Sequence, residues 1–105
     1  MSYKSDTLCK DLKGNRGPIV VDVRSKSEYR QAHIPGARHI SFWLMSFRYK
    51  SLLEYREKPI VIYCEHGPRA VIAMNVLLSK GFRDVDCLEG HMSEWRRSGN
   101  PIEYN

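Results

Sequence analysis

The sequence predicts an α/β protein built on an open, mostly parallel β-sheet. Three compact apolar runs, at residues 19–23, 60–63 and 84–88, have the length and β-branched composition of strands. Segments with a helical pattern lie between them, so strands and helices alternate along the chain. Such alternation implies parallel pairing through right-handed crossovers, and strands that are apolar throughout are typical of a sheet with helices on both faces.

The first of these strands, at residues 19–23, leads into a short helix over residues 25–32. Ser25 and Glu28 fit a capping box, in which the two side chains satisfy free backbone N–H groups at the start of a helix. Residues 33–37 contain a Pro-Gly pair and predict a turn.

A short extended piece over residues 38–41 follows, and residues 42–56 predict a helix. Pro59 ends that helix and begins the second strong strand, residues 60–63. The residues expected on one face of the helix are Leu44, Phe47, Leu52 and Tyr55.

Residues 69–80 predict a helix that is apolar nearly all round, which favours a position in the interior of the protein. Gly81 is the expected left-handed residue at its end. A third strand over 84–88 and a last helix over 91–98 follow, and Gly99 stops that helix.

One domain over residues 1–105 accounts for the whole sequence, since domains typically run to about 100–150 residues. The chain has 42% hydrophobic and 28% charged residues, as folded globular proteins do and disordered ones do not. The formal net charge of +5 favours anionic partners. The basic residues lack the recognition helix and interleaved aromatics of nucleic-acid binders, so we expect no nucleic-acid partner. We also expect the protein to be a monomer.

No apolar run approaches the roughly 20 residues of a membrane-spanning helix, and the N-terminus lacks the apolar stretch of a secretory signal. Cys9, Cys64 and Cys87 lie far apart with no Cys-x-x-Cys spacing, which favours free thiols in a reducing cytoplasm. The four histidines have no metal-ligand spacing. We therefore expect a cytoplasmic protein without a metal site or a cofactor.

The segment after the second strong strand is the most informative part of the chain. Cys64 ends the strand, four residues follow, and Arg69 begins a helix, at the sheet edge where α/β proteins bind ligands. The N–H groups of a tight loop and of a helix's first turn attract anions, and together with Arg69 or His66 they favour a thiolate. Gly67 gives the loop the freedom to curl. Cys64 is therefore a candidate nucleophile, and the alternative is a cysteine that only packs in the core.

Four linked motifs resemble those of the rhodanese family, in the family's order and spacing. Together they span about residues 17–102, and they are Val21–Arg24 with Glu28 and Tyr29, Gln31–Ala37, Cys64–Arg69, and Leu88–His91 with Trp95 and Gly99–Pro101. The resemblance implies a rhodanese-like sheet of about five strands. The first strand and helix of that fold would come from residues 2–13.

The resemblance further implies a single-domain sulfurtransferase. Cys64 would take a sulfane sulfur from thiosulfate or a persulfide donor, hold it as a persulfide, and pass it to cyanide or a thiol acceptor. The residues that would cradle the outer sulfur are Glu65, His66, Gly67, Pro68 and Arg69. The residues that would form a supporting network of hydrogen bonds and ion pairs are Asp22, Arg24 and Glu28.

Two other functions remain open on this scaffold. Related dual-specificity phosphatases and arsenate reductases use a loop longer by one residue, which makes room for a tetrahedral oxyanion. Here only four residues separate Cys64 from Arg69, which favours a single sulfur atom. The other alternative is a rhodanese-like binding or regulatory module with little catalysis, although such modules usually lack the cysteine.

Two residues depart from the family pattern. Glu65 stands where active members often carry a basic or neutral residue, and its charge would oppose thiosulfate. His91 stands where a second glycine is common. We expect either a differently shaped turn at His91 or a contribution of its side chain to the mouth of the pocket.

Overall fold

Strands and helices alternate in the computed structural model, which describes residues 2–104. The strands are β1 (Ser2–Tyr3), β2 (Ile19–Asp22), β3 (Arg38–His39), β4 (Ile60–Tyr63) and β5 (Val85–Leu88). The α-helices are α1 (Ser5–Lys13), α2 (Lys26–Gln31), α3 (Met45–Arg48), α4 (Pro68–Ser79) and α5 (His91–Arg97). The five strands form one sheet in the order β1-β5-β4-β2-β3, and each of its pairings is parallel. The predicted open α/β sheet is thereby confirmed.

The two central strands bring the ends of two motifs side by side. Residue Ile19 pairs with Ile60 and Asp22 pairs with Tyr63, so β2 and β4 end at the same level. Every residue of β4 is buried, because the strand has neighbours on both sides and helices on both faces. The segments that follow Asp22 and Tyr63 therefore leave the sheet at one edge.

Each face of the sheet carries its own apolar core. The cluster on one face lies under α3 and α4 and includes Val21, Ile62, Met45, Ala73 and Leu77. The cluster on the other face lies under α1 and α5 and includes Val20, Val61, Leu8, Met92 and Trp95. Successive strand residues such as Val20 and Val21 point to opposite faces, so a continuous apolar strand supplies both clusters.

Two predictions for the N-terminal part of the chain are confirmed, namely the first strand and helix and the capping box at the start of α2. The strand β1 and the helix α1 come from residues 2–13, as the resemblance implies. At the start of α2, the backbone N–H of Glu28 donates to Ser25 Oγ at 3.2 Å, and the N–H of Ser25 donates to Glu28 Oε1 at 3.0 Å. This reciprocal pair is the predicted capping box.

The prediction of one helix over residues 42–56 is wrong. The segment folds as a 3₁₀-helix (Phe42–Leu44), the single turn α3, and a second 3₁₀-helix (Tyr49–Tyr55). Apart from the half-buried Leu44, the buried and half-buried positions recur at intervals of three more often than four, which is close to the 3₁₀ repeat of three residues per turn. These positions are Phe42, Met45, Tyr49, Leu52 and Tyr55. Phe47, expected on the packed face, is 75% exposed.

The helix α4 lies on the surface and not in the interior. Its Ala70, Ala73 and Leu77 are buried against the sheet. Its opposite side is in solvent, and the exposed apolar residues there are Val71, Ile72 and Leu78. Gly81, just past the helix, has the predicted left-handed conformation with φ +90°.

Within residues 2–104, none of the helices has both the length and the apolar character that crossing a membrane requires.

Candidate active site

The loop between β4 and α4 encloses the sulfur of Cys64. Cys64 is 1% exposed, and the backbone N–H of Gly67 donates to its Sγ at 2.9 Å. Gly67 has φ +137°, a conformation that residues with a side chain rarely adopt, and this lets the chain curl back over the sulfur. Pro68 is the first residue of α4, where a missing N–H leaves no hydrogen bond unmade.

The five predicted loop residues follow Cys64 directly and differ in exposure. His66 and Pro68 are exposed, whereas Glu65, Gly67 and Arg69 are half-buried. We call the inner side of this loop, where the N–H of Gly67 contacts Cys64 Sγ, the pocket.

Arg24 and Asp22 form a buried ion pair behind the loop. The distance between Arg24 Nη2 and Asp22 Oδ2 is 2.8 Å, and both side chains are essentially inaccessible. Arg24 also donates to the carbonyl oxygen of Ala32 and, at 3.3 Å, to Glu65 Oε1. Burial, the largest single influence, lowers the pKa of Arg24, but the hydrogen bond to Asp22 and the nearby negative charges together outweigh it, so the pKa of Arg24 is raised. The pair thus ties the end of β2 to the residue after Cys64.

Glu28 and Arg69 form a second, bidentate pair at the start of α4. The distances from Arg69 Nη1 and Nη2 to the carboxylate oxygens of Glu28 are 2.8 and 3.1 Å. The hydrogen bond from Arg69 lowers the pKa of Glu28 to about 2. The guanidinium of Arg69 is therefore already paired, and it holds α2 against α4 beside the loop.

Glu65 does not present an unpaired negative charge to the pocket. Its Oε2 lies 2.8 Å from Arg96 Nη1 on α5, and its Oε1 lies 3.3 Å from Arg24 Nη1. The hydrogen bond from Arg96 lowers the pKa of Glu65, so the carboxylate stays ionised between two arginines. The opposition to anions that the sequence suggests is offset by this pairing.

His91 is the residue at the site whose position the sequence does not reveal. Its Nδ1 accepts a hydrogen bond from the backbone N–H of Cys64 at 3.2 Å, so its ring lies against the cysteine loop. The only sequence signal was the histidine in place of a common second glycine.

The other two cysteines lie on other elements than the loop. Cys87 is buried in the core under α4, where its Sγ lies 3.9 Å from the sulfur of Met74, and Cys9 is half-buried on α1. All three cysteines are free thiols. Across residues 2–104, the structure has no cluster of three or more His, Cys, Asp or Glu side chains that could hold a metal ion.

Comparisons with known proteins identify the family of the chain. Residues 5–98 match the rhodanese-like domain family. A sulfurtransferase from Allochromatium vinosum is 32% identical over 98 residues, which are 93% of this chain and 90% of that protein. The thiosulfate sulfurtransferase GlpE of Coxiella burnetii is 31% identical over 91 residues, which are 82% of this chain and 78% of that protein.

A solved structure gives the same result. The crystal structure of a protein from Anabaena sp. aligns with a TM-score of 0.88 at 30% identity, over 98% of this chain and 82% of that one. The parallel sheet and the cysteine loop at its edge define a rhodanese-like domain. The chain belongs to the rhodanese family, and its curated relatives are named as sulfurtransferases.

Proposed function

We propose that the protein is a rhodanese-type sulfurtransferase in which Cys64 carries the transferred sulfur. The observation that carries the proposal is the 2.9 Å contact between the N–H of Gly67 and Cys64 Sγ. A loop that donates a backbone hydrogen bond to a buried sulfur stabilises a thiolate, which is the reactive form in sulfur exchange.

The reaction has two balanced steps. The Cys64 thiolate attacks the outer sulfur of thiosulfate; a new S–S bond forms, the S–S bond of thiosulfate breaks, and sulfite leaves with the electron pair. Cyanide or a thiolate then attacks the terminal sulfur of the Cys64 persulfide. Thiocyanate or a new persulfide leaves, and the Cys64 thiolate is regenerated. A protein persulfide can replace thiosulfate as the donor in the same first step.

The loop and its neighbours support this assignment. Four residues between Cys64 and Arg69 give a loop whose backbone closes over one sulfur atom. The ion pair of Arg24 with Asp22 holds the end of β2 beside the loop, and the ion pair of Arg69 with Glu28 holds α2 beside the end of the loop. We assign these four side chains a supporting role, and we assign the role of sulfur cradle to the backbone of Glu65 to Arg69, in which each residue except Pro68 has an N–H to donate.

The test is the covalent state of Cys64. After incubation with thiosulfate and removal of excess donor, we expect the intact mass to rise by one sulfur atom, and cyanide to restore the original mass while releasing thiocyanate. Cys64→Ser should show neither change. Cys9→Ser, which alters a half-buried thiol on α1, is the matched control and should load sulfur like the wild type.

The same experiment decides between the alternatives. If Cys64 takes up no sulfur from thiosulfate or from a protein persulfide, the sulfurtransferase proposal fails and the protein is a binding or regulatory module. Hydrolysis of an aryl phosphate by the wild type but not by Cys64→Ser would favour a phosphatase. We further propose that residues 1–105 act as one domain, as a cytoplasmic monomer without a cofactor. Size-exclusion chromatography with light scattering tests the monomer.

A further inference from the structure

His91 adopts a backbone conformation that costs free energy. Its φ is +53°, in the left-handed region, which glycine adopts readily and residues with a Cβ do not. Among residues 2–104, Asn15, with φ +59°, is the one other non-glycine residue with a positive φ. Asparagine tolerates that region better than histidine does, and Asn15 lies on an exposed turn after α1. An unfavourable conformation beside a reactive cysteine calls for a compensating interaction.

The imidazole of His91 supplies an interaction that glycine has no atoms to make. Its Nδ1 accepts from the N–H of Cys64 at 3.2 Å, so its proton is on Nε2. The Nε2 faces Gly67, at 3.3 Å from where a Cβ on that residue would lie. Burial lowers the pKa of His91, which keeps the ring neutral and able to accept.

The backbone of α5 holds the two peptide groups that follow Cys64. The N–H of Met92 donates to the carbonyl oxygen of Cys64 at 3.0 Å, and the N–H of Ser93 donates to that of Glu65 at 3.2 Å. Cys64 is therefore held at its carbonyl by the first turn of α5 and at its amide by the side chain of His91. The backbone contacts do not involve the side chain of residue 91, whereas the contact with the Cys64 amide depends on it.

We infer that His91 is a positioning residue for Cys64 in sulfur transfer. By accepting from the amide of Cys64 and filling the space behind Gly67, it keeps the sulfur and the N–H of Gly67 at the distance that stabilises the thiolate. This inference rests on the proposed function. It adds that a side chain on α5, outside the cysteine loop, sets the geometry of the nucleophile.

The decisive variant is His91→Gly, because it separates catalysis from stability. Glycine removes the backbone cost and keeps the contacts of Met92 and Ser93, which offsets the lost hydrogen bond, so we expect a melting temperature close to that of the wild type. Loss of one buried hydrogen bond should lower kcat for thiocyanate formation about three- to tenfold, with little change in KM for thiosulfate. Asn15→Gly is the matched control, since it relieves a positive φ on a remote turn and should leave kcat unchanged.

A second variant and a second measurement make the test specific. His91→Asn keeps an acceptor oxygen on a residue that tolerates a positive φ, and it should recover part of the lost kcat. Amide hydrogen exchange reports the proposed contact directly: the Cys64 N–H should exchange about tenfold faster in His91→Gly than in the wild type. A merely structural role of His91 would not give lower kcat together with undiminished stability.

The outcomes separate this inference from the proposed function. Wild-type kcat in His91→Gly, or a loss of kcat that follows a lower melting temperature, would overturn the positioning role. Unchanged exchange of the Cys64 amide in His91→Gly would overturn it as well. If the wild type loads no sulfur, the proposed function fails, and the amide exchange of Cys64 and its alkylation rate by iodoacetamide still decide whether His91 positions the thiol.

Discussion

Glu65 and Arg96 join the cysteine loop to the last helix, with 2.8 Å between Glu65 Oε2 and Arg96 Nη1. The contact spans 31 positions in sequence and turns a carboxylate beside the pocket towards α5. Because Arg24 pairs with the other oxygen of the same carboxylate, Glu65 lies between two cations. The acidic residue nearest Cys64 is thus part of the scaffold and not a free charge that faces the donor.

We expect Arg96→Ala to raise KM for thiosulfate by up to about fivefold at low ionic strength, with kcat little changed. The reason is that an exposed ion pair contributes about 0–1 kcal/mol, and its loss leaves more of the Glu65 charge facing an anionic donor. Added salt should reduce the difference. Arg97→Ala is the control, since Arg97 is more exposed and pairs with Glu94 instead. Equal KM values for Arg96→Ala and the wild type at low salt would contradict the prediction.

The buried pair of Asp22 and Arg24 should matter for stability first. We expect Asp22→Asn to lower the free energy of unfolding by about 3–5 kcal/mol, because it leaves the Arg24 guanidinium buried without the negative charge of its carboxylate partner. Urea denaturation measures the change. Asp86→Asn, at a half-buried carboxylate on β5, should change stability by much less. A similar effect of the two substitutions would show that burial of a carboxylate, and not the ion pair, is what matters.

The pair of Glu28 and Arg69 predicts a pH dependence of stability. The pKa of Glu28 falls from its ordinary 4.5 to about 2 in the folded protein, so the folded state favours the ionised form. The stability from this pair is therefore fully present above about pH 4.5 and is lost as the pH falls towards 2. The difference in unfolding free energy between the wild type and Glu28→Gln should be constant from about pH 5 to 8 and should shrink below that range. Glutamine preserves the capping box with Ser25.

A difference between the two proteins that stays the same down to about pH 2.5 would contradict this assignment. The variant should still load sulfur at neutral pH, because Glu28 contacts Arg69 and not Cys64.

The sequence predicts the elements that local chemistry determines. Continuous β-branched runs predict strands buried on both faces, the Ser25 and Glu28 pair predicts the start of α2, and Cys64 before a helix predicts the pocket. The partners of Glu65 and Glu28 lie 31 and 41 residues away, so they depend on how α5 and α4 pack on the sheet. The sequence does not predict the contact of His91 with Cys64 for the same reason, because the His91 ring reaches Cys64 only after β5 and β4 pair.

The segment over residues 42–56 shows how a wrongly chosen helix face misplaces a side chain. Met45 is fully buried and Phe47 is 75% exposed, whereas the face expected from the sequence contains Phe47 and not Met45. We expect Met45→Ala to cost about 2–5 kcal/mol of unfolding free energy, as a truncation in a packed core does. Phe47→Ala should stay within about 0.5 kcal/mol of the wild type, although it removes the larger side chain. Thermal or urea unfolding measures both, and the reverse order would support the face expected from the sequence.

Gly67 should be the least replaceable residue of the cysteine loop. Its φ of +137° is strained for any side chain, and a Cβ there would lie 3.3 Å from Nε2 of His91. An alanine forces the loop to move, and the N–H that now reaches Cys64 Sγ moves with it. We expect Gly67→Ala to slow sulfur loading from thiosulfate at least about tenfold, the effect of losing about 1.4 kcal/mol of stabilisation of the reacting thiolate.

Gly81→Ala separates backbone strain from loss of the sulfur contact. Gly81 also has a positive φ, +90°, but no atom lies within 4 Å of the position of its Cβ. Alanine there should lower the unfolding free energy by roughly 1–2 kcal/mol through strain alone and leave sulfur loading unchanged. If Gly67→Ala destabilised the protein as much as Gly81→Ala and still loaded sulfur at the wild-type rate, the N–H of residue 67 would have no part in stabilising the thiolate. Measuring the unfolding free energy and the rate of sulfur loading for both variants therefore isolates what the curled loop contributes to the chemistry of Cys64.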